Sequence, residues 1–101
     1  MKKVVMIVNG SVYQAVTDHL RALGVSGFTV SHVEGHGPHT SEDQFLSARD
    51  RVVGFVPRVR VDIVLPDEQM SRVLDALCAP GTGLSGHGTF WVSAVERFGE
   101  F

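Results

Sequence analysis

Cysteine is almost absent from this chain, and several features that would assign a function at once are missing as well. The single Cys78 excludes an intramolecular disulfide and fits a reducing compartment, and we interpret it as a buried helix residue. The formal net charge is only -2, so the composition indicates no polyanionic partner, and we expect no nucleic-acid binding. The first apolar run ends at Asn9, too early for a signal peptide, and no run approaches a membrane span. We therefore expect a cytoplasmic protein.

The motifs of common nucleotide-dependent and hydrolytic enzymes are also missing. The glycine-rich stretch 81–89 lacks the Gly-Lys-Ser/Thr of a Walker loop, and the strand pattern that follows it excludes a dinucleotide fingerprint, which needs a helix there. Ser85 lies in this stretch without the strand-turn-helix context of a nucleophile elbow. We therefore expect neither an enzyme nor a bound cofactor.

Strand and helix patterns alternate along the chain and fit one domain over residues 1–101. Apolar residues make up 44% of the sequence, enough for a single core. Strand patterns occur at 4–8, 27–34, 54–65 and 90–95, and helix patterns at 11–23 and 66–78. Ser11 with Gln14 predicts a capping box for the first helix, which Gly24 ends. The order βαββαβ predicts a ferredoxin-like α+β sandwich, a four-stranded antiparallel sheet with two helices on one face.

The sheet face opposite the helices is expected to be bare. It would carry Val5, Ile7, Val64 and the apolar residues of the last strand. Such an apolar patch is too large for a monomer, so we predict a homo-oligomer that packs on this face.

The strand pattern at 54–65 is the stretch around which we expect a binding site. Apolar and charged residues alternate on it, with Val59, Val61, Ile63 and Leu65 on one face and Arg58, Arg60 and Asp62 on the other. Two arginines on a strand face are either solvated or the wall of an anion site, and both alternatives stay open.

Two further groups of residues indicate possible ligands. Glycines at 81, 83, 86 and 88 allow several backbone N–H groups to point into one concavity, which favours a phosphate, although most such loops are only turns. Four of the five histidines, His32, His36, His39 and His87, are candidate metal ligands. No cysteine or carboxylate completes a recognisable metal-ligand spacing, so surface histidines are the simpler interpretation.

Several stretches together resemble the PII family of signalling proteins, from residue 1 to about residue 97. They are Met1-Lys2-Lys3, Gly27-Phe28-Thr29-Val30 with Gly35-His36-Gly37, residues 55–64, and Thr82-Gly83-Leu84-Ser85-Gly86-His87-Gly88. The resemblance implies a homotrimer that binds adenine nucleotides in the clefts between subunits, without catalytic turnover. It also implies that residues 38–54 form a T-loop that docks on a membrane transporter or metabolic enzyme, and that residues 81–89 form the B-loop.

The resemblance also implies site residues, carried over position by position. The adenine and ribose would lie near Ile7, Thr29, Asp62 and Val64. The phosphates would lie on the backbone of two segments, Gly35, His36 and Gly37 in one and Gly86, His87, Gly88 and Thr89 in the other. Arg58 and Arg60 would bind a small anion such as bicarbonate.

This chain departs from the family pattern at several positions, and these departures change which ligands we expect it to bind. Thr89 stands where the family has a lysine, and the chain ends at Phe101 without the arginine-bearing extension, so we expect ADP or AMP to compete well with ATP. His39 replaces the glutamine, and Arg58 the lysine, with which the family binds 2-oxoglutarate. Arg51 replaces the tyrosine that is uridylylated in the family. These departures resemble the carboxysome-associated type, which senses adenine nucleotide together with bicarbonate. A metal-responsive PII-like protein that uses its histidines and an interaction scaffold with a degenerate nucleotide cleft remain the alternatives.

Overall fold

A computed structural model of the chain describes residues 1–36 and 56–101. Within these two ranges, four strands and two helices follow one another in the predicted βαββαβ order. They are β1 (Lys2–Asn9), α1 (Tyr13–Ala22), β2 (Thr29–Gly35), β3 (Val56–Leu65), α2 (Asp67–Cys78) and β4 (Gly88–Ala94), with a 3-10 turn at Gly10–Val12 before α1. Among the described residues, neither helix has the length and apolar character that crossing a membrane requires.

The sheet has the strand order β2-β3-β1-β4, and every neighbouring pair is antiparallel. The central pair places Val4 opposite Ile63, Met6 opposite Val61 and Val8 opposite Val59, and all six side chains are buried. Both helices cover this face with their apolar stripes, which consist of Val16 and Leu20 in α1 and Met70, Val73 and Leu77 in α2. The fold is therefore the predicted ferredoxin-like sandwich.

The other face of the sheet, which we call the open face, is less apolar than predicted. Val5 is only 3% exposed because it lies on a central strand between its register partners Asp62 and Trp91. Phe90 and Val92 pair with the core residues Met6 and Val4, so they lie on the helix side of β4 and not on the open face. Trp91 is half-exposed on the open face.

The structure corrects the predicted start of the first helix. Ser11 lies in the 3-10 turn, α1 begins only at Tyr13, and no side chain caps its first turn. The amide of Gln14 donates instead to Asp18 Oδ1 at 3.0 Å, one turn further along the helix. Gly24, with φ of 81°, ends the helix as predicted.

Cys78 is exposed, so the prediction of a buried cysteine is wrong. It is the last residue of α2, and Leu77 is the last residue of the buried stripe. Because successive helical residues are about 100° apart around the axis, the residue that follows Leu77 turns away from the sheet.

Candidate functional site

One end of the sheet brings together most of the residues predicted to bind phosphate, and we call it the loop end. Antiparallel pairing places Gly35 at the end of β2 opposite Val56, and Asn9 at the end of β1 opposite Arg58. The first residue of β4, Gly88, is paired with Val8 of β1 at the same end. Residues far apart in sequence therefore meet here because four strand ends coincide.

The glycine-rich loop 81–89 has a shape that depends on its glycines. Gly81, Gly83 and Gly86 have φ values of 87°, 81° and 79°, in a region that other residues rarely adopt. His87 N–H donates to Leu84 O at 3.0 Å and closes a turn whose third residue is Gly86, the position that needs a positive φ in a type II turn.

Gly88 is needed for a different reason, which is close backbone approach. A Cβ at this position would lie 2.6 Å from Ile7 O in β1, a main-chain atom that cannot move aside as a side chain does. The loop therefore enters β4 against the neighbouring strand with no space for a side chain.

Asn9 connects this loop to the end of β1. Its N–H donates to His87 O at 2.8 Å, and its side-chain Nδ2 lies 3.3 Å from His87 Nδ1. Asn9 is only 4% exposed. In the sequence, Asn9 is recognisable only as the end of an apolar run, because no local pattern reveals a contact with a residue 78 positions away.

A cavity of about 280 Å³ lies on the helix side of the loop. Its walls include Val16 of α1, Leu77 of α2, and Leu84, Gly86 and His87 of the loop. Leu84 packs against the hydrophobic core, so the loop is attached to the core beside this cavity.

Arg58 lies against the exit of β2. A Cβ at Gly35 would come within 2.5 Å of Arg58 Cγ and 2.6 Å of its Nε, so the arginine side chain crosses the backbone of Gly35. The half-buried Arg58 is thus the cation placed at the loop end, beside the two glycine segments.

Arg60, the second predicted anion ligand, is bound to Asp62. Its Nε donates to Asp62 Oδ2 at 2.9 Å and its NH2 group to Oδ1 at 3.0 Å, while Lys3 Nζ lies 3.5 Å from Oδ1. The hydrogen bonds from Arg60 hold the pKa of the Asp62 carboxyl below its ordinary value, although partial burial acts in the opposite direction. The same contact raises the pKa of Arg60. Two of its donors are therefore engaged, and anion binding by Arg60 stays a prediction.

The residues assigned to the adenine and ribose follow the open face away from the loop end. Ile7 lies next to Arg60 on one side and Thr89 on the other, and Thr29 is paired with Asp62. Val64 is six residues beyond Arg58 on β3, which corresponds to about 20 Å of strand. A single nucleoside diphosphate is shorter than this distance, so one copy of the chain does not bring Val64 and the loop end to one ligand, although Ile7 lies beside Thr89.

The candidate metal ligands are dispersed. His32 packs edge-on against Tyr13 with ring centroids 6.5 Å apart, His36 Nε2 lies 3.6 Å from Glu34 Oε2, and His87 contacts Asn9. Within residues 1–36 and 56–101, no three His, Cys, Asp or Glu side chains come together as a metal site would require. Gly37, His39 and the predicted T-loop 38–54 lie outside the described residues.

These features define a small ferredoxin-like protein with a glycine-rich loop and an arginine at one end of its sheet. Its sequence matches the family model described as Nitrogen regulatory protein P-II over residues 1–100. It is 34% identical to the Nitrogen regulatory protein P-II of Rhizobium meliloti (strain 1021) over 98 residues, which cover 96% of this chain and 88% of the relative. It is 30% identical to the Nitrogen regulatory protein GlnK of Escherichia coli (strain K12), with the same coverage of both chains.

The chain therefore belongs to the P-II family. This confirms the resemblance found in the sequence and the predicted fold class. Members of the family are regulatory signalling proteins and not enzymes, which agrees with the lack of a catalytic motif.

Proposed function

We propose that this protein is a cytoplasmic regulator that binds an adenine nucleotide in the clefts between the subunits of a homotrimer. One observation carries the proposal: the predicted phosphate-binding residues converge at the loop end, about 20 Å of strand from Val64. A nucleotide that contacts both groups needs one copy of the chain for its phosphates and a second copy for the far part of the open face. Family membership supports the same arrangement.

The loop end suits a short phosphate chain. Backbone N–H groups of Gly86 and Gly88 and the guanidinium of Arg58 are the donors that we assign to phosphate there, whereas the N–H of His87 already donates to Leu84 O. Thr89 supplies no charge where a lysine would. Since a charge-assisted hydrogen bond contributes about 1.5–3 kcal/mol, the loss of one cation lowers the advantage of ATP over ADP or AMP.

A small anion such as bicarbonate is the second ligand in this proposal. The argument rests on Arg58, which lies at the loop end and crosses Gly35 just before residues 37–55. An anion bound there would connect the nucleotide site to the predicted T-loop, through which the protein would regulate a membrane transporter or metabolic enzyme. This is the behaviour of a carboxysome-associated type of PII-like protein.

Calorimetry and thermal unfolding with AMP, ADP, ATP and cyclic AMP test the proposal, each with and without bicarbonate, 2-oxoglutarate, magnesium, nickel or copper. A ligand that binds only the folded protein raises its melting temperature, so we expect a rise with ADP or AMP and a further rise with bicarbonate. Arg58→Ala should weaken ADP binding at least tenfold, whereas Arg72→Ala, at an exposed position of α2, should leave it unchanged. Stabilisation by nickel or copper alone would contradict the proposal and favour the histidines.

A further inference from the structure

We propose that Asn9 is a positioning residue for the glycine-rich loop and thereby for the phosphates of the nucleotide. This inference rests on the proposed function, since it assigns the loop to phosphate. Asn9 itself belongs to none of the predicted ligand groups, and it would act through His87 without contacting the ligand.

The side-chain contact joins Asn9 Nδ2 and His87 Nδ1 at 3.3 Å, and the donor and acceptor roles of the ring depend on its tautomer. In the neutral tautomer that carries its proton on Nε2, Nδ1 accepts from the amide of Asn9, and the contact then orients the imidazole. The backbone bond from Asn9 N–H to His87 O is available to any residue but proline at position 9, so the amide side chain is what distinguishes asparagine here.

Side chains fasten both halves of the loop. The first half is fastened by Thr82, whose hydroxyl donates to Leu77 O at 3.4 Å and accepts from Leu84 N–H at 3.3 Å. The second half lines the cavity, and its glycines lose much conformational entropy when they are ordered. The contact of Asn9 with His87 connects this half to the end of β1.

Asn9 also lies between the loop and the strand that carries Arg58, the cation of the proposed site. It is the register partner of Arg58 across the β1–β3 pair, and it contacts His87 on its other side. A buried side chain at this position therefore lies between the loop and the strand that carries Arg58. Loss of its contact with His87 would loosen the loop relative to that strand.

The test compares the affinities of ADP and adenosine by calorimetry in the full chain. Because the proposed function assigns the loop to the phosphates, Asn9→Ala should weaken ADP about three- to tenfold, the effect of one hydrogen bond, and change adenosine binding less than twofold. Thr17→Ala is the matched control, since Thr17 is another buried polar residue, on α1, and bonds to Gln14 O. Thr17→Ala should lower the free energy of unfolding without changing the ratio of the ADP affinity to the adenosine affinity.

A second set of variants tests the contact from the other side and does not require a change in the buried strand. His87→Asn keeps an acceptor close to the position of Nδ1 and should bind ADP as the wild type does, whereas His87→Ala should weaken ADP about three- to tenfold, as Asn9→Ala does. Combining His87→Ala with Asn9→Ala should add no further loss, because both remove the same contact. Amide hydrogen exchange of residues 84–88, measured without ligand, should accelerate in Asn9→Ala.

The outcomes separate the two proposals. Equal weakening of ADP and adenosine in Asn9→Ala, or unchanged ADP binding, would overturn the positioning role and leave the nucleotide site standing. Wild-type protein that binds no adenine nucleotide would overturn both, and the exchange data would then still show whether Asn9 orders the loop.

Discussion

At the scale of single residues, the two arginines of β3 show how similar neighbours acquire different roles. Arg58 and Arg60 share the open face and differ by two positions, so strand periodicity treats them alike. Arg60 has an acid two residues further along the same face and forms a bidentate pair with it. Arg58 has no acid at that spacing and lies across Gly35 instead. The presence of Asp62 thus leaves Arg58 as the better candidate for an external anion.

The Arg60–Asp62 pair predicts a dependence of stability on pH. The pKa of Asp62 is lowered in the folded protein relative to 3.8, so its contribution is present above about pH 4 and is lost as the pH falls through the folded-state value. Asp62→Asn should lower the melting temperature by a few degrees at pH 7, and its difference from the wild type should shrink below pH 4. Thermal unfolding between pH 3 and pH 7 measures this.

Asp75→Asn is the control for this prediction, because Asp75 is exposed on α2. It should leave the melting temperature unchanged at every pH. A constant difference between Asp62→Asn and the wild type across the whole range would show that the carboxylate charge is not what stabilises the sheet here.

At the scale of elements, the glycine-rich loop and β1 form a unit in which backbone atoms meet directly. Gly88 begins β4 where no side chain fits, and Asn9 bonds to His87 one residue earlier. The spacing of the glycines predicts a concave loop. It does not identify the strand that the loop contacts, because neither Asn9 nor His87 is recognisable as a partner by its type or spacing.

Gly88→Ala should disturb this unit. The added methyl group meets Ile7 O at 2.6 Å, so β4 must shift away from β1, and we expect a loss of about 1–3 kcal/mol in the free energy of unfolding. Gly27→Ala is the matched control, since a Cβ there meets no heavy atom within 4 Å and its φ is not in the left-handed region. Denaturant unfolding measures both variants, and equal stability of the two would contradict the crowding argument.

At the scale of the whole molecule, the two faces of the sheet are covered to different extents in one copy of the chain. The helices cover one face of β1 and β3, while β4 at the edge leaves Phe90 and Trp91 about half exposed, at 47% and 50%. These neighbouring residues point to opposite faces of the sheet. Substitution of each in turn therefore distinguishes an interface on the open face from one on the helix side.

We expect the proposed trimer to form through the open face. Trp91→Glu should then dissociate it, because a charge would be buried without a partner, whereas Phe90→Glu on the helix side should leave it assembled. Light scattering coupled to size exclusion gives the mass of each variant. Dissociation by Phe90→Glu alone would place the interface on the helix side.

Local patterns were sufficient for the element order, both helix stripes and the buried face of β3. The reason is that side-chain direction repeats every two residues in a strand and every 3.6 residues in a helix. The spacing of apolar residues along a short stretch therefore identifies the buried face. The end of the first helix at Gly24 was equally local, since it depends on one residue that adopts a positive φ. The resemblance to the P-II family, also a property of the sequence, was confirmed on the same residues.

Only the tertiary structure decided features that depend on a neighbour from elsewhere in the chain. Val5 is buried because Asp62 and Trp91 flank it, although its pattern predicted an exposed apolar side chain. Arg60 is engaged and Arg58 is directed to Gly35, although the two look equivalent in sequence. Asn9 reaches the glycine-rich loop because β1 and β4 are neighbours in the sheet while 78 residues separate Asn9 from His87. Such contacts arise from strand pairing over long separations, and no local period encodes them.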